Sequence, residues 1–135
     1  QIYGTALHNN ASAITGTTNQ YIASGTYTPT ITGVANYSSS TSDVATYIRV
    51  GNVVTVSGSL SVTPLGVGTL VFRFNLPIAS NFTLSTEVTG SAQDENIYDI
   101  TSIAAHVSTD QALIQCSASN TDNRLFSYIY QYEVK

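Results

Sequence analysis

The sequence predicts an all-β domain, an antiparallel and jelly-roll-like β-sandwich of about seven to nine strands with an extended N-terminal arm. Three observations carry that prediction. Apolar and polar residues alternate over short runs, the two-residue period of a half-buried strand. Turn residues interrupt those runs roughly every ten positions, and no segment shows an apolar stripe at helical spacing. A chain of 135 residues also suits one domain able to bury its own core without a metal or disulfide staple.

The elements follow in order. Residues 1–25, "QIYGTALHNNASAITGTTNQYIASG", are rich in Asn, Gly, Ala and Thr with irregularly spaced apolar residues, and read as an extended arm or connector. Residues 26–135 form the predicted sandwich. In "TYTPTIT", Tyr27, Pro29 and Ile31 alternate with threonines, and Pro29 lacks an N–H for a ladder, which predicts an edge strand or a strand start. "VANYSSSTSD" (34–43) reads as a polar loop. In "YIRVGNVVTVSGSLSV" (47–62) two apolar runs flank Gly51-Asn52, a hairpin signal. Val54, Val56, Leu60 and Val62 then point one way with Gly58 among them, and Thr55, Ser57, Ser59 and Ser61 point the other. "PLGVG" makes a turn, and "TLVFRFNL" sets Leu70, Phe72, Phe74 and Leu76 inward before Pro77 opens the connector "PIASNF". "LSTEVTGSAQ" and "YDITSIAAHV" are strand candidates around the acidic loop "QDENIYD". "QALIQCSAS" groups Ala112, Ile114, Cys116 and Ala118 on one face, and "NTDN" turns the chain. The closing "RLFSYIYQYEV" aligns Phe126, Tyr128, Tyr130, Tyr132 and Val134.

Composition narrows the function. Charged residues are 9% of the chain, against about 25% in an average soluble domain. The four basic residues, Arg49, Arg73, Arg124 and Lys135, are scattered and the net charge is −4, so there is no basic stripe to track phosphates and nucleic acid is not an expected partner. No apolar run approaches the ~20 residues of a membrane span, so neither is a membrane. The chain holds 19 Thr, 17 Ser and 10 Asn. Such a surface stays hydrated without charge and suits strands, because Thr is β-branched. It is the surface of many extracellular and virion-surface β-proteins. Periodic Val, Ile, Phe and Tyr argue against disorder. Cys116 is the single cysteine and reads as a small buried hydrophobe. Gln1 stands where an initiator Met would, which reads as a processed chain or a piece of a longer one.

Little in the sequence points to catalysis. His8 and His106 lie in unlike segments and no nucleophile-elbow Gly-x-Ser-x-Gly is present. One Cys and two distant His do not make a zinc site. Asp94, Glu95 and Asp99, with Asn96 between, could offer oxygens to Ca²⁺, but their spacing matches no EF-hand and reads as a solvated loop. Sequons at Asn10, Asn36 and Asn81 are no more than an Asn-, Ser- and Thr-rich chain gives by chance. Glycoside hydrolysis needs two carboxylates across a cleft, and those available (Asp43, Glu87, Asp94, Glu95, Asp99, Asp110 and Asp122) fall mostly in predicted turns. No catalytic residue, metal ligand or cofactor is therefore expected. Candidate receptor contacts are the loop tyrosines Tyr37 and Tyr98 with Asp94, Asn96, Asn120 and Asn123. The row Tyr128, Tyr130 and Tyr132 reads as core or subunit interface more readily than as a sugar platform, and supplies the candidate oligomer contacts.

Four segments taken together, "GTALHNNASAITGTTNQYIASGTYTPTITGVAN", "YIRVGNVVTVSGSLSV", "LPIASNFT" and "YIYQYEVK", resemble the C-terminal domains of tailed-phage tail-fibre and head-fibre-like structural proteins. The resemblance spans about Gly4 to Lys135, is strongest in the hairpin and the "LPIASNF" connector, and is weakest from Thr83 to Asn123. It is one of sequence style and order and carries over no functional residue. It implies a non-enzymatic virion surface protein, a homotrimer whose residues 1–25 join other virion proteins and whose domain contacts a host surface glycan. Two other readings stand beside it: a capsid-decoration or fibre-trimerisation module without receptor contact, and a secreted carbohydrate-binding module.

Overall fold

In the computed structural model, which describes residues 21–135, the two-residue period resolves into ten strands. They are β1 (Ile22–Tyr27), β2 (Ile31–Ala35), β3 (Tyr37–Ser42), β4 (Ala45–Val50), β5 (Val53–Pro64), β6 (Gly68–Asn75), β7 (Val88–Asp94), β8 (Asp99–His106), β9 (Gln111–Ala118) and β10 (Arg124–Glu133). Hydrogen bonding orders them β1-β4-β5-β10-β7-β8-β9-β6-β2, with β3 also on β5, and each pairing is antiparallel. The sheet curls until β10 faces β6, which makes a sandwich. Two strands that each divide their length between two partners allow the curl. β5 pairs with β4 through Val53–Ser57 and with β3 through Leu60–Pro64. β8 pairs with β7 through Asp99–Ser102, then leaves that layer and pairs with β9 through Ile103–His106.

The core sits between β10 and the opposite layer. Phe126, Tyr128, Tyr130 and Tyr132 are each at most 4% exposed. Their rings meet Phe72, Phe74 and Phe82: Phe72–Phe126 centroids are 5.6 Å apart, Phe74–Tyr128 5.1 Å, Phe74–Tyr130 5.7 Å and Phe82–Tyr132 5.8 Å. Each such pair adds about 0.5–1.5 kcal/mol beyond the area it buries. Along the strand the tyrosines also stack on each other at 6.0 Å. The rings demand room on both flanking strands. Gly58 lies opposite Tyr128, where a Cβ would sit 2.7 Å from the hydroxyl. Gly90 lies opposite Tyr130, where a Cβ would meet the Ile129 carbonyl oxygen at 2.3 Å. These glycines are strand residues because the backbone and ring approach so closely.

Several expectations change here. Residues 1–20, most of the expected arm, lie outside the described residues, as do His8 and the Asn10 sequon; residues 22–25 belong to β1, so a boundary after residue 25 would cut a strand. The stretch 34–43 is not a loop but carries β3, an uncharged edge strand whose register on β5 runs from Tyr37 opposite Pro64 to Ser42 opposite Leu60. Pro29, expected in an edge strand or at a strand start, lies between two strands at opposite ends of the sheet order, two residues before β2 begins. Tyr128, Tyr130 and Tyr132 are core and not an oligomer interface, because the opposite layer of the same chain already covers them. The other face of β10, with Leu125 and Ile129, is the exposed one.

Two predictions follow from the tyrosine hydroxyls. Tyr132 donates to the Ile78 carbonyl at 2.7 Å, and Tyr27 donates to the Asn75 carbonyl at 3.1 Å while sharing a 3.1 Å bond with Tyr130. The Tyr128 hydroxyl is buried with no partner. Urea denaturation should therefore find Tyr128→Phe neutral or stabilising and Tyr132→Phe destabilising by about 1 kcal/mol. Burial raises the ionisation of Tyr27 to about 12 and that of Tyr128, Tyr130 and Tyr132 further. Unfolded tyrosines ionise near 10, so this contribution is fully present below pH ~10 and is lost as pH rises through the folded values. Denaturation midpoints should fall steeply above pH ~10, and the share of tyrosinate absorbance that belongs to these four buried rings should appear together with unfolding.

Candidate functional site

The antiparallel order sorts the loops into two groups. Tyr21, the Gly51-Asn52 turn and Val134 share one end: the Gly51 amide donates to the Tyr21 carbonyl at 2.7 Å and the Val134 amide to the Asn52 carbonyl at 2.6 Å. The Arg49 guanidinium lies 4.6 Å over the Tyr21 ring and fastens the start of β1 there. At the other end lie the β2–β3 corner at Asn36, the β5–β6 turn, the β7–β8 turn and the β9–β10 loop. The six candidate contact residues all fall at this distal end, although they come from three separate segments.

Hydrogen bonds hold the distal end in shape. Asn36 exchanges side-chain bonds with the Gly66 amide and carbonyl, both at 2.8 Å, and accepts the Leu65 amide at its own carbonyl. Asn96 accepts the Leu125 amide at 2.9 Å, Asn120 the Asp122 amide at 3.0 Å, and Asn123 the Thr63 hydroxyl at 2.9 Å. Asn96, Asn120 and Asn123 thus brace the loops they were expected to project from. Tyr37 is half-buried, bonds Ser40 at 2.6 Å and lays its ring over Gly33. Tyr98 does stand out: it is 72% exposed at a φ of 61°, a left-handed position uncommon for a ring-bearing residue. Asp94 is a correction. Its side chain is 4% exposed and pairs with Arg124 at 2.6 Å, so it is not a surface contact.

That ion pair marks a feature the sequence reading missed. β8 and β9 separate beyond the Ile103–Ile114 pair, so Asp99–Ser102 and Gln115–Ala118 face each other across an open seam. The Thr101 hydroxyl bridges it to the Gln115 carbonyl at 2.9 Å, and Arg124 reaches the Ser117 carbonyl at 3.4 Å. Between the strands lies a cleft of about 340 Å³ lined by Asp94, Asp99, Ile100, Thr101, Cys116, Ser117 and Arg124, over Phe126. Asp99 and Thr101 share strand parity with the buried Ile103 and Ala105, Cys116 with Ile114, and Arg124 with Phe126. Polar residues at core parity near strand ends were the available signal. Burial raises the Cys116 thiol, so it stays protonated near neutral pH and is a poor nucleophile.

Other charged groups are engaged elsewhere. At the opposite end, partial burial works against the charge of Asp110, but the amides of Asn81, Phe82 and Ser80 outweigh it and hold its carboxyl below the usual range. Lys135, with Thr83, draws Glu87 down to about 2. Glu95 accepts from Ser127, and Asp43 from Ser59 at 2.5 Å. Among the described residues no three His, Cys, Asp or Glu are grouped to hold a metal ion, and no helix is long and apolar enough to cross a membrane.

The buried pair generates a prediction. Arg124→Ala or Asp94→Ala leaves one buried charge alone and should cost about 3–5 kcal/mol, whereas replacing both by Met and Leu should recover most of that loss; urea melts of the three variants check it. Compared with protein families, curated proteins and solved structures, the chain matches none of them.

Proposed function

We propose that the chain is a non-enzymatic domain of a virion surface appendage, a fibre or spike module whose distal end contacts a bacterial surface glycan. One observation carries this reading: Tyr21, where the described chain begins, lies at the end opposite the braced loops and the seam. A module joined to a particle through residues 1–25 then presents its loops outward. The phage-fibre resemblance points the same way, and the uncharged surface suits many weak hydroxyl contacts whose avidity comes from multiple copies. Against hydrolysis, which needs two carboxylates across a cleft, Asp94 is bound to Arg124 and leaves Asp99 without a second free carboxylate among the lining residues.

A second observation favours self-association, and it moves the proposed trimer contact off the tyrosine row. Thr26, Thr46, Ser57, Ile129, Ser91 and Ser102 form one outward register row across six strands without a charge. The next row, Ser24, Ile48, Thr55, Gln131 and Thr89, is also uncharged. Charge depletion is what distinguishes interface cores from ordinary surface. If this face serves fibre assembly alone, the chain is a structural module without receptor contact.

Light scattering on a sized column should give a trimer mass, and Ile129→Lys should reduce it to a monomer. The trimer should bind an array of immobilised bacterial polysaccharides without shortening them. Binding to none of them, with the trimer intact, would leave the structural reading; depolymerisation would overturn the non-enzymatic one.

A further inference from the structure

We infer that the β8–β9 seam is a binding site for a terminal unit of a neutral glycan, an inference that rests on the receptor reading above and names the place and the ligand class. The seam is a built cavity. Asp94, Asp99, Thr101 and Arg124 in its lining occupy inward positions where the core pattern calls for apolar residues, and the divergence of the two strands keeps those positions open. Its volume of about 340 Å³ falls at the small end of ligand pockets, which run roughly 300–1,000 Å³.

The chemistry selects the ligand. Asp99 accepts hydrogen bonds, the Thr101 hydroxyl keeps lone pairs free beside its bond to the Gln115 carbonyl, and the Arg124 guanidinium carries further N–H donors. Adjacent sugar hydroxyls present the same mixture of donors and acceptors within one small unit. Ile100, 72% exposed on the rim, offers an apolar wall for the C–H face of a ring. Charge decides between sugar classes. Among the described residues Arg124 is the only cation in the lining and Asp94 already neutralises it, which leaves Asp99 as a negative charge with no ion-pair partner there. An acidic sugar would meet repulsion with no free cation to offset it. A neutral one meets none.

The test titrates galactose, glucose and N-acetylglucosamine, and separately glucuronate and galacturonate, into the full chain while amide NMR signals are followed. The neutral sugars should shift Thr101 and Ser117 at millimolar concentration, and the uronates should not. Asp99→Asn should weaken binding by about tenfold or more. Ile100→Asp, at an exposed position that leaves folding intact, should do the same. Tighter binding of the uronates would overturn the neutral class. If the chain binds polysaccharide and both variants bind it as well as the parent, the seam is not the site, although the receptor reading stands. If no sugar and no polysaccharide binds, both fall.

Discussion

The structure depends on one packing constraint: the inward row of β10 must lie flat between its own flanking strands and the phenylalanines of the opposite layer. Four large rings on alternate residues fill the sandwich at a spacing set by the strand itself. That spacing leaves no room for a Cβ at Gly90 and little at Gly58. It also sends hydroxyls into the core, where each needs a partner. Tyr27 and Ile78 come from outside β10 to provide them, and the Asn75 carbonyl in turn accepts from Tyr27. Ordering the row therefore orders β1, β6 and the connector after β6. Tyr128 is the exception, and its unpaired hydroxyl is the weakest point of that core.

The second consequence concerns β8. A strand that belongs to two layers cannot pair fully with both, so its ladder with β9 opens where its ladder with β7 begins. Residues beyond the opening keep core parity but lose the core. Polar side chains at those positions have a physical reason to be there: Thr101 and Arg124 restore contacts to carbonyls that the missing ladder would have satisfied. The buried Arg124–Asp94 pair is part of the same repair, because it ties the start of β10 to the end of β7 at the mouth of the gap. One topological event produces both the closure of the sandwich and a polar cleft on its distal end.

Stability and surface chemistry are kept apart in this chain. Charges that matter are paired or hydrogen-bonded at the ends of strands, as at Asp110, Glu87 and Arg124. The central rows of the outer face of β1, β4, β5, β10, β7 and β8 are left to Ser, Thr, Gln and scattered aliphatics, with Glu133 at the end of β10. A face of that kind is wetted by water yet has no long charged side chains to keep another surface away. This is a physical basis for the proposed role as a durable outer appendage and for its proposed association with copies of itself or with glycans.

Much of the fold was legible in the sequence because strand period and turn chemistry are local. The Gly51-Asn52 hairpin, the inward sets of β5, β6 and β9, and the aromatic row of β10 all follow from neighbours along the chain. β3 was not legible: its residues are nearly all Ser and Thr, and only the edge of β5 makes them a strand. The fate of the tyrosine row was equally hidden, since alternation shows that a face is buried but not whether its own chain or another copy buries it. The loop residues proposed as contacts converge on one end, yet most serve as braces, which depends on which amide each carboxamide meets. The seam depends on a register between β7, β8 and β9 that no local pattern encodes. By itself the sequence determined the strands, their inward faces and a charge-poor surface, because those are set by alternation and composition. Only the tertiary structure decided what covers each face and where the sheet opens, because both depend on pairings between residues far apart in the chain.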